Sequence, residues 1–182
     1  MKLKVLVMGI AMVVTTPLAI AEGFYGAFDL GQSKAKDACK GVAGLCSYTD
    51  TAYRLAAGYQ INQNFGVEGA YVDLGKTNAS VAGNAVNIKN TEWQVAATGT
   101  YPFGNGFSLI GKAGIAFWDQ ATSVAVAGGN PNGKNILLGI GAQYDLSKVT
   151  AVRGQYETHQ TGDNVTGRGD LATLSVGVVF KF

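Results

Sequence analysis

Glu68, Lys112 and Arg153 are ionisable residues of opposite sign, each a few residues beyond a turn-like segment. A buried charge persists only when it is paired and hydrogen-bonded. A Glu68–Arg153 pair is therefore expected, with Lys112, Gln143 and Thr98 close by. A second set could do covalent chemistry. His159 is the single histidine, Glu157 lies two residues before it, and Ser175 follows further along. Serine, histidine and a carboxylate make an acyl-transfer triad only if the base reaches the nucleophile. Cys39 and Cys46 are close enough in sequence to close a small disulfide loop. Arg168-Gly169-Asp170 spells an adhesion-type tripeptide, a motif short enough to recur by chance. The sequence holds no phosphate-cradling loop, nucleotide motif or metal-ligand constellation, so no cofactor and no metal are expected.

The elements that position these residues read as strands. The stretch LATLSVGVVFKF places Ala172, Leu174, Val176, Val178, Phe180 and Phe182 at every second position, the period of a strand. The same alternation defines eight strands, starting near Phe24, Thr51, Phe65, Thr91, Phe107, Asn135, Val149 and Asp170. Short and long spacings alternate along that series until the last. Short turns are therefore expected at one end, over residues 60–64, 102–106 and 145–148. Long loops are expected at the other, over 34–50, 75–90, 119–134 and 160–169. The short turns carry Asn, Gly, Pro, Asp and Ser, as turn chemistry requires. With 26 Gly, 8 Tyr, 8 Phe, 3 Pro and no helical period, the fold class is all-β.

The two faces of these strands differ. One carries Phe28, Leu30, Tyr53, Leu55, Tyr71, Trp93, Ile115, Phe117, Ile140, Tyr156 and the apolar set of the final stretch. The other carries Asp29, Arg54, Glu68, Gln94, Lys112, Arg153, Gln155 and Glu157, padded with Gly, Ala, Ser and Thr. Alternation alone does not say which face is inside, and a soluble eight-stranded pouch is the competing arrangement. Eight strands closed into a barrel leave an interior just wide enough for side chains. The aromatic set is too bulky for that space, while the small-and-charged set fits it. The expected architecture is therefore an eight-stranded antiparallel transmembrane β-barrel with its apolar face in lipid. Lipid demands that every backbone polar group be paired, so the last strand must close on the first.

The N-terminus agrees with export. Lys2 and Lys4 precede an apolar run over residues 5–14, and Ala19-Ile20-Ala21 is a small-x-small cleavage site. The run is shorter than the ~20 residues of a spanning helix. Residues 1–21 are expected to be a signal peptide and residues 22–182 a single barrel domain. The fourteen basic residues then fall to twelve, equal to the twelve acidic ones. A neutral exported chain is a poor partner for nucleic acid. An exported chain also favours the Cys39–Cys46 disulfide.

The final strand, with Phe180 and Phe182 at alternate positions, resembles the closing strand of bacterial outer-membrane proteins. In that class it implies the signal read by the assembly machinery. The segment FGVEGAYVDLG (residues 65–75), following GYQIN (58–62), resembles the second hairpin of the OmpA-like transmembrane barrel family, and Tyr101-Pro102 fits it too. The resemblance spans the whole mature chain. It implies a Gram-negative outer membrane, contact with outer-membrane lipid and lipopolysaccharide, and an interior charged cluster that Glu68 and Arg153 match. Larger members of the family add a peptidoglycan-binding domain, and this sequence stops at the barrel, so cell-wall anchoring is not carried over. Gln143 and Thr98 stand where the family can place further charges. The expected role is non-enzymatic: a monomeric structural and surface protein whose long loops contact something outside the cell. A narrow gated channel is the alternative, and a lipid A-modifying enzyme the second alternative.

Overall fold

The computed structural model describes residues 23–36, 49–81, 84–122, 132–161 and 169–182. Its strands are β1 (Phe24–Lys36), β2 (Thr49–Gln60), β3 (Phe65–Val81), β4 (Asn84–Gly104), β5 (Phe107–Thr122), β6 (Asn132–Asp145), β7 (Thr150–Thr161) and β8 (Gly169–Lys181). Each pairs antiparallel with its sequence neighbours, and β8 pairs with β1, so the sheet is a closed barrel. At the seam Phe28 lies opposite Val178, and the Phe182 amide donates to the Phe24 carbonyl at 2.9 Å. Closure leaves the described barrel wall without an edge, which is what a sheet in lipid requires.

The alternation is inverted relative to a water-soluble protein. Leu55, Trp93, Ile136 and Val176 are at least 60% exposed, whereas Asp29, Glu92 and Glu157 are at most 3% exposed. Alanines point inward beside those charges at positions 27, 52, 56, 70, 96, 116 and 151. Aromatic pairs mark the rims of the apolar band. Phe24–Tyr59, Phe107–Tyr144 and Tyr101–Phe103 stack near the short-turn end, with centroids 4.7, 4.6 and 5.1 Å apart. Tyr71–Trp93, at 5.1 Å, lies toward the other end. This is the aromatic girdle of a membrane barrel.

Local chemistry explains the short turns. The Asn62 side-chain oxygen accepts from the amides of Asn64 and Phe65, each at 2.9 Å. The Ser147 hydroxyl accepts from Val149 and Thr150. Between β4 and β5, Asn105 and Gly106 both have positive φ, 53° and 82°, the backbone whose twist suits a tight hairpin.

One expected loop is strand instead. Residues 75–90 read as a solvated loop from their Asn, Ala and Thr content. In the structure β3 runs to Val81 and β4 starts at Asn84, with Lys76 opposite Lys89 and Val81 opposite Asn84. A bulge at residues 73–76 bends this extension, and Gly75 supplies the positive φ (83°) it needs. Antiparallel pairing of the two arms overrides a weak compositional signal.

Candidate functional site

The inward faces of β1, β2, β3, β4, β5 and β7 converge on one ionic network. Glu68 on β3 is its centre. Its Oε1 accepts from Arg54 Nη2 and from Lys112 Nζ, the latter at 2.7 Å. Its Oε2 accepts from Arg153 Nη1 at 2.7 Å and from the Tyr25 hydroxyl at 3.0 Å. Asp29 receives Arg153 through two parallel bonds, Nε to Oδ1 at 2.8 Å and Nη2 to Oδ2 at 2.7 Å. Arg54 Nη1 adds a third contact to Asp29 Oδ2 at 2.9 Å. Lys112 Nζ also donates to Gln155 Oε1 at 2.6 Å and Glu157 Oε1 at 3.1 Å. Gln94 links the far side: its Oε1 accepts from Arg54 Nε, and its Nε2 donates to Glu92 at 2.6 Å.

Burial is nearly complete: the side chains of Asp29, Arg54, Glu68, Lys112, Arg153 and Glu157 are at most 4% exposed. Such burial is tolerable because each of the three cations meets at least two acceptors, the Arg153–Asp29 contact is bidentate, and Glu68 Oε1 and Asp29 Oδ2 are each shared by two cations. Neighbouring strands make room with small residues. A side chain at Gly177 would run into the Asp29 carboxylate, and one at Gly139 would press on Glu157 and Lys112.

Apolar packing flanks the network: a cluster that includes Ala27, Ala56, Ala151 and Val179 lies toward the short turns, and two others lie toward the long loops. Ala52, Val72, Leu74 and Leu171 form one cluster and Ala96, Ala116 and Leu137 another. The Ser33 hydroxyl ties β1 to the Leu74 carbonyl at 2.9 Å. On the short-turn side a cavity of about 900 Å³ opens, lined by Tyr25, Thr98, Ser108, Gln143, Asp145 and Lys181 among others, and it ends against Glu68, Lys112 and Arg153.

Glu68, Lys112 and Arg153 thus stand together. Thr98 lies opposite Lys112 and is buried, but its hydroxyl has no hydrogen-bond partner among the described residues. Gln143 lies opposite Arg153 on the wall of the same cavity, but its side chain donates to Asp145 at 3.1 Å, and Asp145 pairs with Lys181 at 2.7 Å. Sequence reasoning missed Asp29, Arg54, Gln94, Gln155, Glu157 and Tyr25 as members. Most had the right inward parity. The error was to match residues by their count from the turns. In a tilted barrel equal counts on different strands are not equal heights.

The triad reading loses its geometry. Glu157 is engaged by Lys112, Ser175 lies opposite Gln155, and His159 lies opposite Leu171. Four residues of strand, ~13 Å, separate those two positions on β8. Of the Arg168-Gly169-Asp170 tripeptide, the last two residues begin a strand, in line with the strand start expected near Asp170. Gly169 and Asp170 are ladder residues of β8, and Asp170 pairs with both Gln160 and Lys36. Arg168, Cys39, Cys46 and the N-terminal segment 1–22 lie outside the described residues.

A profile of the OmpA-like transmembrane domain matches residues 19–182. The chain belongs to this family. Outer membrane protein A of Yersinia pseudotuberculosis is 28% identical over 92% of the chain, which spans 55% of that protein's own length. Among solved structures, Neisserial surface protein A superimposes with a TM-score of 0.65 at 20% identity, covering 87% of this chain and 97% of that one. Ail of Yersinia pestis, solved with the heparin analogue sucrose octasulfate, gives 0.57 at 17%, covering 89% and 100%. These two likenesses speak to the fold. As a member of the OmpA-like family the protein is an integral barrel of the cell outer membrane, in contact with its lipid.

Proposed function

We propose that this barrel is a non-enzymatic surface protein: residues 22–182 form a monomeric, plugged scaffold that carries four loop regions outside the cell. The observation that carries this reading is the lumen network. Glu68 holds three cations at once, apolar clusters back the network on the long-loop side, and a plug so bonded opposes steady ion flow. The short turns face the periplasm in this reading, and the long-loop end contacts ligands and lipopolysaccharide. Phe180 and Phe182 are the residues the assembly machinery reads, and a Cys39–Cys46 disulfide shapes the first loop. Ail, a protein of the same fold, was solved with a heparin analogue, which makes sulfated glycans the first loop ligand to try.

Planar-bilayer conductance of the refolded protein tests the plug, with refolding checked by heat-dependent gel mobility. The expected result is silence from a protein that shows the mobility shift. Steady current that changes in Glu68→Ala would replace this reading with the narrow channel.

A further inference from the structure

The lipid-facing wall of β2–β4 carries a groove of about 500 Å³. Its floor is Ala57 and Gly69, which lie opposite each other, and its walls are Leu55, Tyr71 and Trp93. Small residues also face lipid on β4–β6, at Ala97, Gly111, Ala113 and Ala142, but the β2–β4 groove is the one walled by Tyr71 and Trp93. Directly toward the long-loop end the same wall turns ionic. Asp73 follows Tyr71 on β3 by one outward step, and Lys89 bonds it at 2.9 Å while remaining 47% exposed. An ammonium has three donors, so this pair leaves Lys89 capacity for a further anion. The register sets a second lysine, Lys76, opposite Lys89.

Apolar groove, amphipathic aromatic pair and lysine thus stack in one line from the middle of the band to its rim. We propose that this line is a discrete site for one phosphorylated, acylated lipid of the outer leaflet, of the lipid A class. An acyl chain lies over Gly69 and Ala57 between Leu55 and Trp93, and a phosphate reaches Lys89. The occupant is a lipid because the groove faces only the hydrocarbon. It is a phosphorylated one because the cation stands at headgroup depth, where a basic residue attracts anionic lipid. The proposal rests on the orientation given above, with the long loops outside.

Native mass spectrometry of the refolded full chain tests it, with bisphosphorylated lipid A and phosphatidylglycerol as probes. One retained lipid A is expected, held more firmly than phosphatidylglycerol. Gly69→Leu fills the groove and should abolish retention. A Cβ there meets only the carbonyls of Ala57 and Gln94 at 4.0 Å, an ordinary contact the wall tolerates. Lys89→Gln should weaken retention about fivefold, the effect of one lysine near an anionic headgroup. Lys134→Ala, exposed on β6 away from the groove, should change nothing. Equal retention in all variants, or no preference over phosphatidylglycerol, overturns the site while leaving the surface-protein reading intact. A chain that gains no heat-dependent mobility shift in vesicles overturns the surface-protein reading itself.

Discussion

The two faces of β2 are made of alternate residues of one strand, yet they solve different problems. Outward lie Tyr53, Leu55 and Ala57, and inward Ala52, Arg54 and Ala56. The outer face meets a solvent that asks only for apolar surface, so many side chains of similar greasiness would serve. The inner face meets no solvent. Arg54 must find Asp29, Glu68 and Gln94 at hydrogen-bonding distance, or its burial is prohibitive. Composition suffices for the wall, whereas the lumen needs particular partners from five other strands. A substitution inside should therefore disturb more than one outside, unless the outer one violates the solvent rule.

The severest way to break that contrast is Glu68→Ala. It removes the anion met by Arg54, Lys112, Arg153 and the Tyr25 hydroxyl. Breaking a buried pair from one side costs ~3–5 kcal/mol because the orphaned charge stays buried. Urea titration of the refolded barrel in lipid vesicles, read by heat-dependent gel mobility, should show that loss. Glu68→Gln keeps the shape and should lose less. An undiminished midpoint in Glu68→Ala would mean water reaches the network and the lumen is wetter than its packing implies.

Next in size is Leu138→Arg, on the lipid side of β6, where Leu138 is 53% exposed. A cation there violates the solvent rule, and near the bilayer midplane this costs ~2–4 kcal/mol. The same titration should place it just short of Glu68→Ala. If it matched the wild type, Leu138 would lie outside the hydrocarbon, and the depth assigned from the aromatic rims would be wrong.

The contrast between faces also explains what the sequence made legible. Period-two alternation needs only residue class, so eight strands, the closing strand at Phe182 and the inside-out sorting could be read directly. Volume decided orientation, since the aromatic set that includes Trp93 and Phe117 cannot share a lumen with the inward charges. Partner choice was harder. Arg54 and Asp29 were visibly inward, but nothing along the chain tells how tilt brings β1 and β7 to one height, so the Asp29–Arg153 bidentate contact stayed hidden. The hairpin over residues 76–89 was hidden for another reason. Its Asn, Ala and Thr residues are loop-like by type and become strand only by pairing with each other.

The smallest effect should come where the two faces meet, at the short-turn rim. Lys181 on β8 reaches across β7 to Asp145, which also accepts from Gln143. Both partners are about a third exposed, 34% and 36%, so water screens the pair and little stabilisation remains. Lys181→Met keeps the apolar stem and removes the charge. It should lower stability by only ~0.2–1 kcal/mol, and less in high salt than in low. The salt series decides what kind of contact this is. A small loss that shrinks with salt marks a rim ion pair of the ordinary surface kind. A loss as large as that of Glu68→Ala, and indifferent to salt, would mean that Lys181 belongs energetically to the interior, and that the contact across β7 is what holds β8 in register for barrel closure.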